Sequence, residues 1–261
     1  MAIVNVTPDS FSDGGRLVSV EAAVEHAMRL IDHGADILDI GGESTRPGAD
    51  PVSAAEEVDR VVPLVEAVRT RWHGPISVDT MKPHVARASV EAGATIWNDV
   101  TALGFAPDSA AVAAKLGCGV VLMHMRGEPR TMQSAPAYGD VVAEVTAWLS
   151  ERAQAALAAG VARDRIWLDP GIGFGKTAAH NLALTAHLER LCALGFPVLY
   201  GASRKRTILA VDPTATDPGD RLGGSLALAL EAARAGASVI RVHDVRETVQ
   251  ALEVQAAIRR S

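Results

Sequence analysis

The chain has 261 residues, of which 48% are hydrophobic and only 4% aromatic, and its formal net charge is −6. An acidic chain without basic runs is not expected to bind nucleic acid, and so few aromatic residues do not make a base-stacking surface. No apolar run approaches the roughly 20 residues that cross a bilayer, and no basic segment precedes the first apolar run as in a signal peptide. We therefore expect a cytoplasmic protein with no nucleic-acid or membrane partner, in which Cys118 and Cys192 are reduced thiols.

Apolar runs rich in branched residues alternate with segments of helical periodicity along the whole chain. The first pair is a strand over residues 1–6 and a helix over 20–32, which Gly34 closes. The second strand occupies the start of 35–49, and Ser53 followed by Glu56 predicts the start of a helix that ends near residue 69. Further strands are predicted at 75–79, 95–99, 119–124, 165–169, 197–201 and 238–242, and further helices at 83–92, 108–116, 140–159, 178–193, 220–235 and 246–258.

Eight strand–helix units without a linker favour one architecture. Alternating units of this kind form parallel strands joined by right-handed crossovers. Eight units in 261 residues match a (β/α)8 TIM barrel, so we predict a single α/β domain that spans residues 1–261. A doubly wound open sheet is the competing architecture. In a barrel, the functional site lies at the carboxyl ends of the strands.

Each predicted strand ends in polar residues or is directly followed by them. These are Asn5, Asp39, Asp79, Asn98 with Asp99, His124, Asp169, the segment 203–205, and Arg241 with His243. Asp and Asn at such ends often cap helices. Several carboxylates and an amide around one barrel mouth also suit a flat heterocycle with a guanidine-like edge, because a carboxylate accepts two N–H bonds and an amide both donates and accepts.

Cations face this acidic set. Arg46 follows the second strand, Arg204 and Lys205 follow the seventh, and Arg241 and His243 lie at the eighth. Barrels often bind phosphate near strands seven and eight, where arginine is a bidentate ligand and lysine a point charge. A role in solubility does not explain Arg241, which interrupts an apolar strand. We therefore predict an anion site, where Asn5 could offer its carbonyl oxygen to a Mg²⁺ shared with a phosphate.

Two glycine-containing loops complete the predicted site. Residues 171–177 read GIGFGKT, but a P-loop requires glycine where Pro170 stands, and a dinucleotide fingerprint requires glycine where Lys176 stands. The glycines are instead expected to let the backbone approach a flat ligand, with Phe174 beside it. The polar loop over residues 5–15 carries Phe11, and we interpret it as a lid. We interpret His124 as a hydrogen-bonded residue at a strand end.

Eight segments, taken together and in this order, resemble bacterial dihydropteroate synthases: NVTPDSFSDGG, DIGGESTRPGA, SVDT, NDV, LMHMRGEP, LDPGIGFGK, GASRK and RVHDV. The resemblance covers nearly the whole chain. It implies a (β/α)8 barrel that joins 6-hydroxymethyl-7,8-dihydropterin diphosphate to p-aminobenzoate and yields 7,8-dihydropteroate and diphosphate in folate synthesis. It also implies Mg²⁺ as a cofactor, sulfonamides as inhibitors and a homodimer.

The same resemblance assigns roles to individual residues. It places the pterin at Asp79, Asn98, Met123, Asp169, Phe174 and Lys205. It places the diphosphate at Asn5, Arg46, Arg241 and His243, with Mg²⁺ at Asn5, and p-aminobenzoate at Phe11, Thr45, Pro47 and Ser203. The implied reaction is SN1-like, with catalytic roles for Asp79, Lys205, Arg241 and His243. We expect Asp39 to support Asn5 from behind the diphosphate site.

Two other functions stay open from the residues alone. A pterin-binding methyltransferase on a similar barrel would keep the Asp and Asn set, but its folate substrate carries no diphosphate and has less use for the cations. A barrel that binds pterin or phosphate without catalysis is the other alternative. If the anion site exists, replacement of Arg241 by alanine is expected to weaken diphosphate binding and turnover without disturbing the fold.

Overall fold

The described part of the chain consists of eight short parallel strands that alternate with helices. The computed structural model describes residues 1–6, 16–44, 50–127 and 131–260. The strands are β1 (Ala2–Asn5), β2 (Leu38–Gly41), β3 (Ile76–Asp79), β4 (Ile96–Asp99), β5 (Gly119–Met123), β6 (Ile166–Asp169), β7 (Leu199–Tyr200) and β8 (Val239–Ile240). The helices are α1 (Arg16–Asp32), α2 (Ala54–Arg71), α3 (Pro83–Glu91), α4 (Ser109–Leu116), α5 (Val141–Ala158), α6 (Ala178–Ala186), α7 (Leu188–Cys192), α8 (Arg206–Val211), α9 (Leu222–Ala235) and α10 (Val245–Arg260).

The strands close into a barrel. Strands β1 to β6 pair in chain order, and β7 pairs with β8, all in parallel. A bridge between Leu168 and Val198 joins β6 to the seventh strand, and a bridge between Ala2 and Val242 joins β1 to the eighth. The amide of Val242 also donates to the carbonyl oxygen of Met1 at 3.0 Å. Because the last strand returns to the first, the TIM barrel is confirmed and the open-sheet alternative is wrong.

The late helices differ in detail from the prediction. The helix predicted over 178–193 is broken at His187 into α6 and α7. Helix α8 was not predicted, because six residues are too few to show helical periodicity. A 3₁₀ turn at Pro218–Arg221 precedes α9, and the Asp217 side chain caps it by accepting from the Gly219 amide at 2.7 Å.

Side-chain alternation along each strand separates the barrel interior from the helix layer. In the second strand, Leu38 and Ile40 pack outward in a cluster with helices α1 and α2, whereas Ile37 points inward. The interior floor is apolar and consists of Met1, Ile37, Ile96, Val121 and Leu199, with Trp167 and Val239 packed against them. Above this floor the inward positions become polar. Among the described residues, the inward-facing groups Asp39, Asp79, Asn98 and Arg241 therefore lie toward the carboxyl end of the barrel.

Candidate active site

Strand register places the predicted site residues side by side at the carboxyl end of the barrel. Asn5 pairs with Gly41, Gly41 with Asp79, and Asp79 with Asn98. Across the barrel mouth, the last residue of β6, Asp169, is the register partner of Met123 in β5. Asn98 pairs with Val121, so Met123 and Asp169 lie two residues further along their strands than Asp79 and Asn98 do. The predicted pterin residues thus form two successive rows near the carboxyl end of the barrel.

Arg241 forms the charged centre of this end of the barrel. Its Nε lies 2.5 Å from Asp39 Oδ2, and its Nη2 lies 2.8 Å from Asp79 Oδ2. The amide of Asn98 donates to the same oxygen of Asp39 at 3.2 Å. Burial raises the pKa of the Asp79 carboxyl to about 7, and the Arg241 charge opposes that rise only in part. The single charge of the guanidinium therefore pairs with two buried carboxyl groups at once and offsets only part of their negative charge.

Asp39 has other partners than those predicted. We expected it to support Asn5, but its Oδ2 accepts from Arg241 and Asn98 instead. Asp39 is fully buried, and its Oδ1 has no hydrogen-bond partner among the described residues. It contacts both the guanidinium and the amide, and it shares the orientation of the guanidinium with Asp79.

Asp169 and Lys205 both contact a glycine-rich loop, and their charges attract each other without forming an ion pair. The Gly171 amide donates to Asp169 Oδ1 at 2.7 Å, and burial raises the pKa of the Asp169 carboxyl. Lys205 Nζ lies 4.2 Å from the centre of the Phe174 ring and donates to the Ile172 carbonyl oxygen. Burial lowers the pKa of Lys205 to about 8, against the attraction of Asp169. A carboxylate, an aromatic face and an ammonium thus border one side of the site.

The loops after the seventh and eighth strands lie against each other. Ser203 Oγ is 3.0 Å from Nδ1 of His243 and accepts from the His243 amide at 3.2 Å. Arg204, predicted as a site cation, instead binds Asp244 through Nε at 3.0 Å. Arg204 has a φ of +58°, a left-handed conformation that is unfavourable for a residue with a side chain. The ion pair holds that turn, so that Ser203 and Lys205, on either side of it, both reach the site.

Comparison with known proteins places this geometry in a family. The sequence matches the family described as "Pterin binding enzyme" over residues 1–243. It is 50% identical to the dihydropteroate synthase of Escherichia coli strain K12 over 257 residues, which cover 98% of this chain and 90% of that protein. The chain belongs to the dihydropteroate synthase family of pterin-binding enzymes. It is therefore a transferase of folate biosynthesis that makes dihydropteroate.

Solved structures of dihydropteroate synthases share the barrel. The Xanthomonas albilineans enzyme with 4-aminobenzoic acid is 53% identical, has a TM-score of 0.93, and is aligned over 99% of this chain and 92% of that one. The same enzyme in complex with 7,8-dihydropteroate gives 50% identity and a TM-score of 0.90 over the same shares of each chain. The Yersinia pestis enzyme in a sulfonamide drug complex is 46% identical with a TM-score of 0.94, over 100% of this chain and 94% of that one.

Asn5 is the residue at which the dihydropteroate synthase resemblance implies Mg²⁺. Within the described parts of the chain, no group of three or more His, Cys, Asp or Glu side chains could hold a metal ion. An all-protein metal cage is therefore not present there. A single amide oxygen at the barrel mouth does fit a Mg²⁺ that takes its other ligands from water and substrate phosphate, because this ion keeps several waters when it binds proteins.

Several predicted site residues lie outside the described residues. Phe11, Thr45, Arg46 and Pro47 belong to segments for which the structure gives no description, so their contacts with substrate stay predictions. The interpretation of residues 5–15 as a lid stays a prediction for the same reason. Among the described helices, none is long and apolar enough to cross a membrane.

Sequence reasoning missed a buried ion cluster beside the dihydropteroate synthase site. Lys82 Nζ lies 2.5 Å from Glu57 Oε2 and 2.9 Å from Glu43 Oε2. The other oxygen of Glu43 accepts from the Val52 amide at 2.8 Å, which ties the two sides of the second loop together. Glu57 alone offered a signal, since it occupies a position on α2 that is fully buried among apolar residues. Its partner is 25 residues away in the chain and could not be inferred from spacing.

Lys82 is expected to be required for stability. Replacing it with methionine leaves Glu57, which is fully buried, without a cation, and we expect a loss of about 3 kcal/mol in the free energy of unfolding. Urea denaturation measures this loss. The matched control is Arg71→Met, which breaks an exposed pair with Glu25 and should cost less than about 1 kcal/mol. Equal losses in the two variants would contradict the role given to the buried cluster.

Proposed function

We propose that the described barrel mouth joins 6-hydroxymethyl-7,8-dihydropterin diphosphate to p-aminobenzoate through the residues assigned below. One observation carries the proposal: carboxylates and an amide from β2, β3, β4 and β6 meet two cations, Lys205 and Arg241, within one mouth. Acceptors for a guanidine-like pterin edge and cations for a diphosphate are needed together by this reaction. The two alternatives raised from the sequence are set aside by the family assignment.

The pterin is proposed to lie over Asp79, Asn98 and Asp169. The ionised carboxylates accept N–H bonds from the amino-pyrimidine edge, and Asn98 can both donate and accept, although one of its N–H groups is already given to Asp39. Lys205 would donate to a ring acceptor from beside Phe174. Met123, nearly fully buried, would pack against the ring. Each contact orients the exocyclic methylene toward the cations.

The diphosphate is proposed to bind at Asn5, Arg46, Arg241 and His243. The pairs with Asp39 and Asp79 hold Arg241 in place. Because it need not reorganise, its attraction to the diphosphate grows as charge builds on the leaving oxygen. Because Nδ1 of His243 faces Ser203, the Nε2 edge of the ring points away from that serine. When bound at Asn5, Mg²⁺ would supply positive charge to the diphosphate oxygens.

Bond changes in the proposed reaction are simple. The bond between the pterin methylene carbon and the diphosphate oxygen breaks first, and its electron pair leaves with the diphosphate. The amine nitrogen of p-aminobenzoate then forms the new C–N bond and loses one proton to water. Buried carboxylates near the pterin stabilise the electron-poor methylene, whereas the arylamine needs little base catalysis because it attacks as a neutral amine. Asp79, Lys205, Arg241 and His243 are the proposed catalytic residues.

The arylamine site is proposed at Phe11, Thr45, Pro47 and Ser203. Ser203 is the member of this set that the structure describes, and it lies against His243 at the diphosphate site. A sulfonamide has the same anilino group as p-aminobenzoate, and the Yersinia pestis relative was solved in a sulfonamide drug complex. We therefore propose that sulfonamides compete with p-aminobenzoate in this chain.

Diphosphate release tests the proposed function. Purified protein mixed with the pterin diphosphate, p-aminobenzoate and Mg²⁺ should release diphosphate and form dihydropteroate in equal amounts. Omission of p-aminobenzoate should abolish dihydropteroate formation, and omission of Mg²⁺ should slow diphosphate release. Absence of diphosphate release from the complete mixture would refute the proposal.

Pterin affinity is expected to pass through a maximum with pH. As pH rises through about 7, Asp79 ionises and becomes a full acceptor, so affinity rises. As pH rises further through about 8, Lys205 loses its proton and affinity falls. Calorimetric titration with a pterin from pH 5.5 to 9, roughly the range around these values, measures the profile. Lys205→Arg should remove the high-pH decline, because arginine keeps its charge; a flat profile in the unaltered protein would contradict both assignments.

We further propose that residues 1–261 act as one domain, that the protein works in the cytoplasm, and that it is a homodimer. Support for a dimer comes from two exposed apolar side chains on one face of the last helix, α10. Val254 has 55% and Ile258 has 69% of full exposure. Light scattering coupled to size exclusion would decide between monomer and dimer. A single cooperative unfolding transition, measured by two spectroscopic probes, would support one domain.

A further inference from the structure

Lys176 is a buried lysine whose ammonium is surrounded by neutral acceptors. It is 3% exposed, and its Nζ lies 2.9 Å from Nδ1 of His124. It also donates to three carbonyl oxygens, those of His124 at 3.2 Å, Gly171 at 3.0 Å and Phe174 at 3.0 Å. Among the described residues it forms no ion pair with a carboxylate. The charge of Asp169 attracts it without contact. A buried cation without a carboxylate in contact is costly, so its retention calls for a reason.

The loop over residues 171–176 is folded around this ammonium. Gly171 and Gly175 have φ values of +66° and +63°, which are strained for any residue with a side chain. A Cβ at Gly171 would meet the His124 carbonyl oxygen at 1.9 Å, and one at Gly175 would meet the Arg126 carbonyl oxygen at 2.3 Å. The backbone therefore lies directly against the exit of β5, with two of its own carbonyl groups turned toward Lys176.

The same loop organises one side of the proposed pterin site. Its Gly171 amide donates to Asp169, and its Ile172 carbonyl oxygen accepts from Lys205. Its Phe174 ring lies under the Lys205 ammonium at 4.2 Å. Three groups proposed to bind pterin thus depend on the path of a loop that Lys176 holds from the opposite side.

His124 is suited to accept from this lysine. Burial, reinforced by the neighbouring Lys176 charge, lowers the pKa of His124 to about 3, so its ring is neutral and Nδ1 can present a lone pair. The ring is fixed by an edge-on contact with Trp148 at 4.9 Å between centroids. Burial lowers the pKa of Lys176 to about 7, a direction consistent with the lack of a carboxylate partner.

We propose that Lys176, with His124 as its acceptor, is a positioning residue for pterin binding, because its ammonium holds the loop over 171–176 in the form that aligns Asp169, Phe174 and Lys205. It acts from beneath the loop, and neither Lys176 nor His124 contacts the pterin. The inference rests on the proposed function, in which the pterin lies over Asp169 and beside Lys205. It gives a role to two residues that the sequence motifs singled out and that the reaction does not use.

Lys176→Met tests the inference directly, with Lys115→Met as the matched control on an exposed helix position. The probes are 6-hydroxymethyl-7,8-dihydropterin and inorganic diphosphate with Mg²⁺, each titrated by calorimetry. Lys176→Met should weaken pterin binding at least about 10-fold, the usual effect of removing a group that orients a binding residue. Its diphosphate affinity should be unchanged, since Arg241 and His243 are held by other loops. Unchanged pterin affinity, or a parallel loss of both affinities, would overturn the inference.

Two variants of His124 give a second test that does not depend on the folding of Lys176→Met. His124→Asn keeps an acceptor oxygen close to the position of Nδ1, whereas His124→Leu has a similar size and no acceptor. The Asn variant should keep most of the pterin affinity and the Leu variant should lose it. Equal affinities in the two variants would overturn the inference.

If the unaltered protein and Lys115→Met bind no pterin, the proposed function fails as well. If they bind pterin and Lys176→Met binds it equally, only the positioning role fails.

Discussion

Arg241→Ala is expected to lower kcat/KM at least about 100-fold and to cost about 3 to 5 kcal/mol of folding free energy. The catalytic loss follows from its place between the proposed pterin carboxylate and the diphosphate. The loss of stability follows from its two partners, since Asp39 is fully buried and Asp79 is only 16% exposed. From the sequence we expected the fold to stay undisturbed, and the two ion pairs add an expected loss of stability to that prediction.

Steady-state kinetics and urea denaturation measure the two effects of Arg241→Ala separately. Arg234→Ala is the matched control, because Arg234 also pairs with a carboxylate, Glu231, but on the surface, and should change neither quantity. The double variant Arg241→Ala/Asp39→Asn should recover part of the stability without recovering activity, since it removes a carboxylate left without a cation. Wild-type kinetics in Arg241→Ala would refute the anion-site role, and unchanged stability would refute the structural role.

Asp79→Asn is expected to weaken pterin binding by about 100-fold, because an amide N–H would face the N–H groups of the pterin edge in a buried position. Calorimetric titration with a pterin measures the loss. Undiminished affinity would contradict the assignment of Asp79 to the pterin. The exposed acidic residue Asp212, replaced by asparagine, is a suitable control, since it only caps a turn at Thr214.

The same Asp79→Asn variant should gain stability, although it loses pterin affinity. Because burial raises the folded-state pKa of Asp79 to about 7, from the ordinary value of 3.8 for an aspartate, the unfolded chain releases this proton at lower pH than the folded one. The contribution of Asp79 to stability is therefore complete below the ordinary aspartate pKa and is lost as pH rises toward 7. Relative to the unaltered protein, Asp79→Asn should gain stability between pH 4 and pH 7, as measured by urea midpoints at several pH values. If the stability difference between Asp79→Asn and the unaltered protein stayed constant across this range, the raised pKa would be contradicted.

Prediction from the sequence succeeded where the information is local. Strand and helix periodicity, together with eight polar strand ends, identified the barrel and the end that carries the site, because βα alternation constrains the topology strongly. The register that forms the rows Asn5–Gly41–Asp79–Asn98 and Met123–Asp169 was not predicted and comes from the structure. Helix α8 and the break at His187 before α7 were missed. Helices α7 and α8 are both shorter than the window over which periodicity is visible.

Partnerships between distant residues could not be predicted. Arg241 and Asp39 are 202 residues apart, and Lys176 and His124 are 52 apart, so no spacing rule connects either pair. From the sequence, Lys176 was noted only because it stands where a dinucleotide fingerprint requires glycine. His124 was noted only as a histidine at a strand end. Which acceptor a buried cation finds depends on the packing of side chains from several elements, and this is a property of the assembled core.

The sequence by itself determined the architecture, the site end of the barrel and, through its motifs, the family and the chemistry of the substrates. Only the tertiary structure decided how charge is balanced there. It showed that Arg241 pairs with Asp39 and Asp79 at once, that Asp39 accepts from Asn98, and that Lys176 donates to carbonyl groups of the loop over 171–176. The physical reason is that burial makes each charge depend on partners within a few ångströms, and closure of the barrel alone brings those partners together.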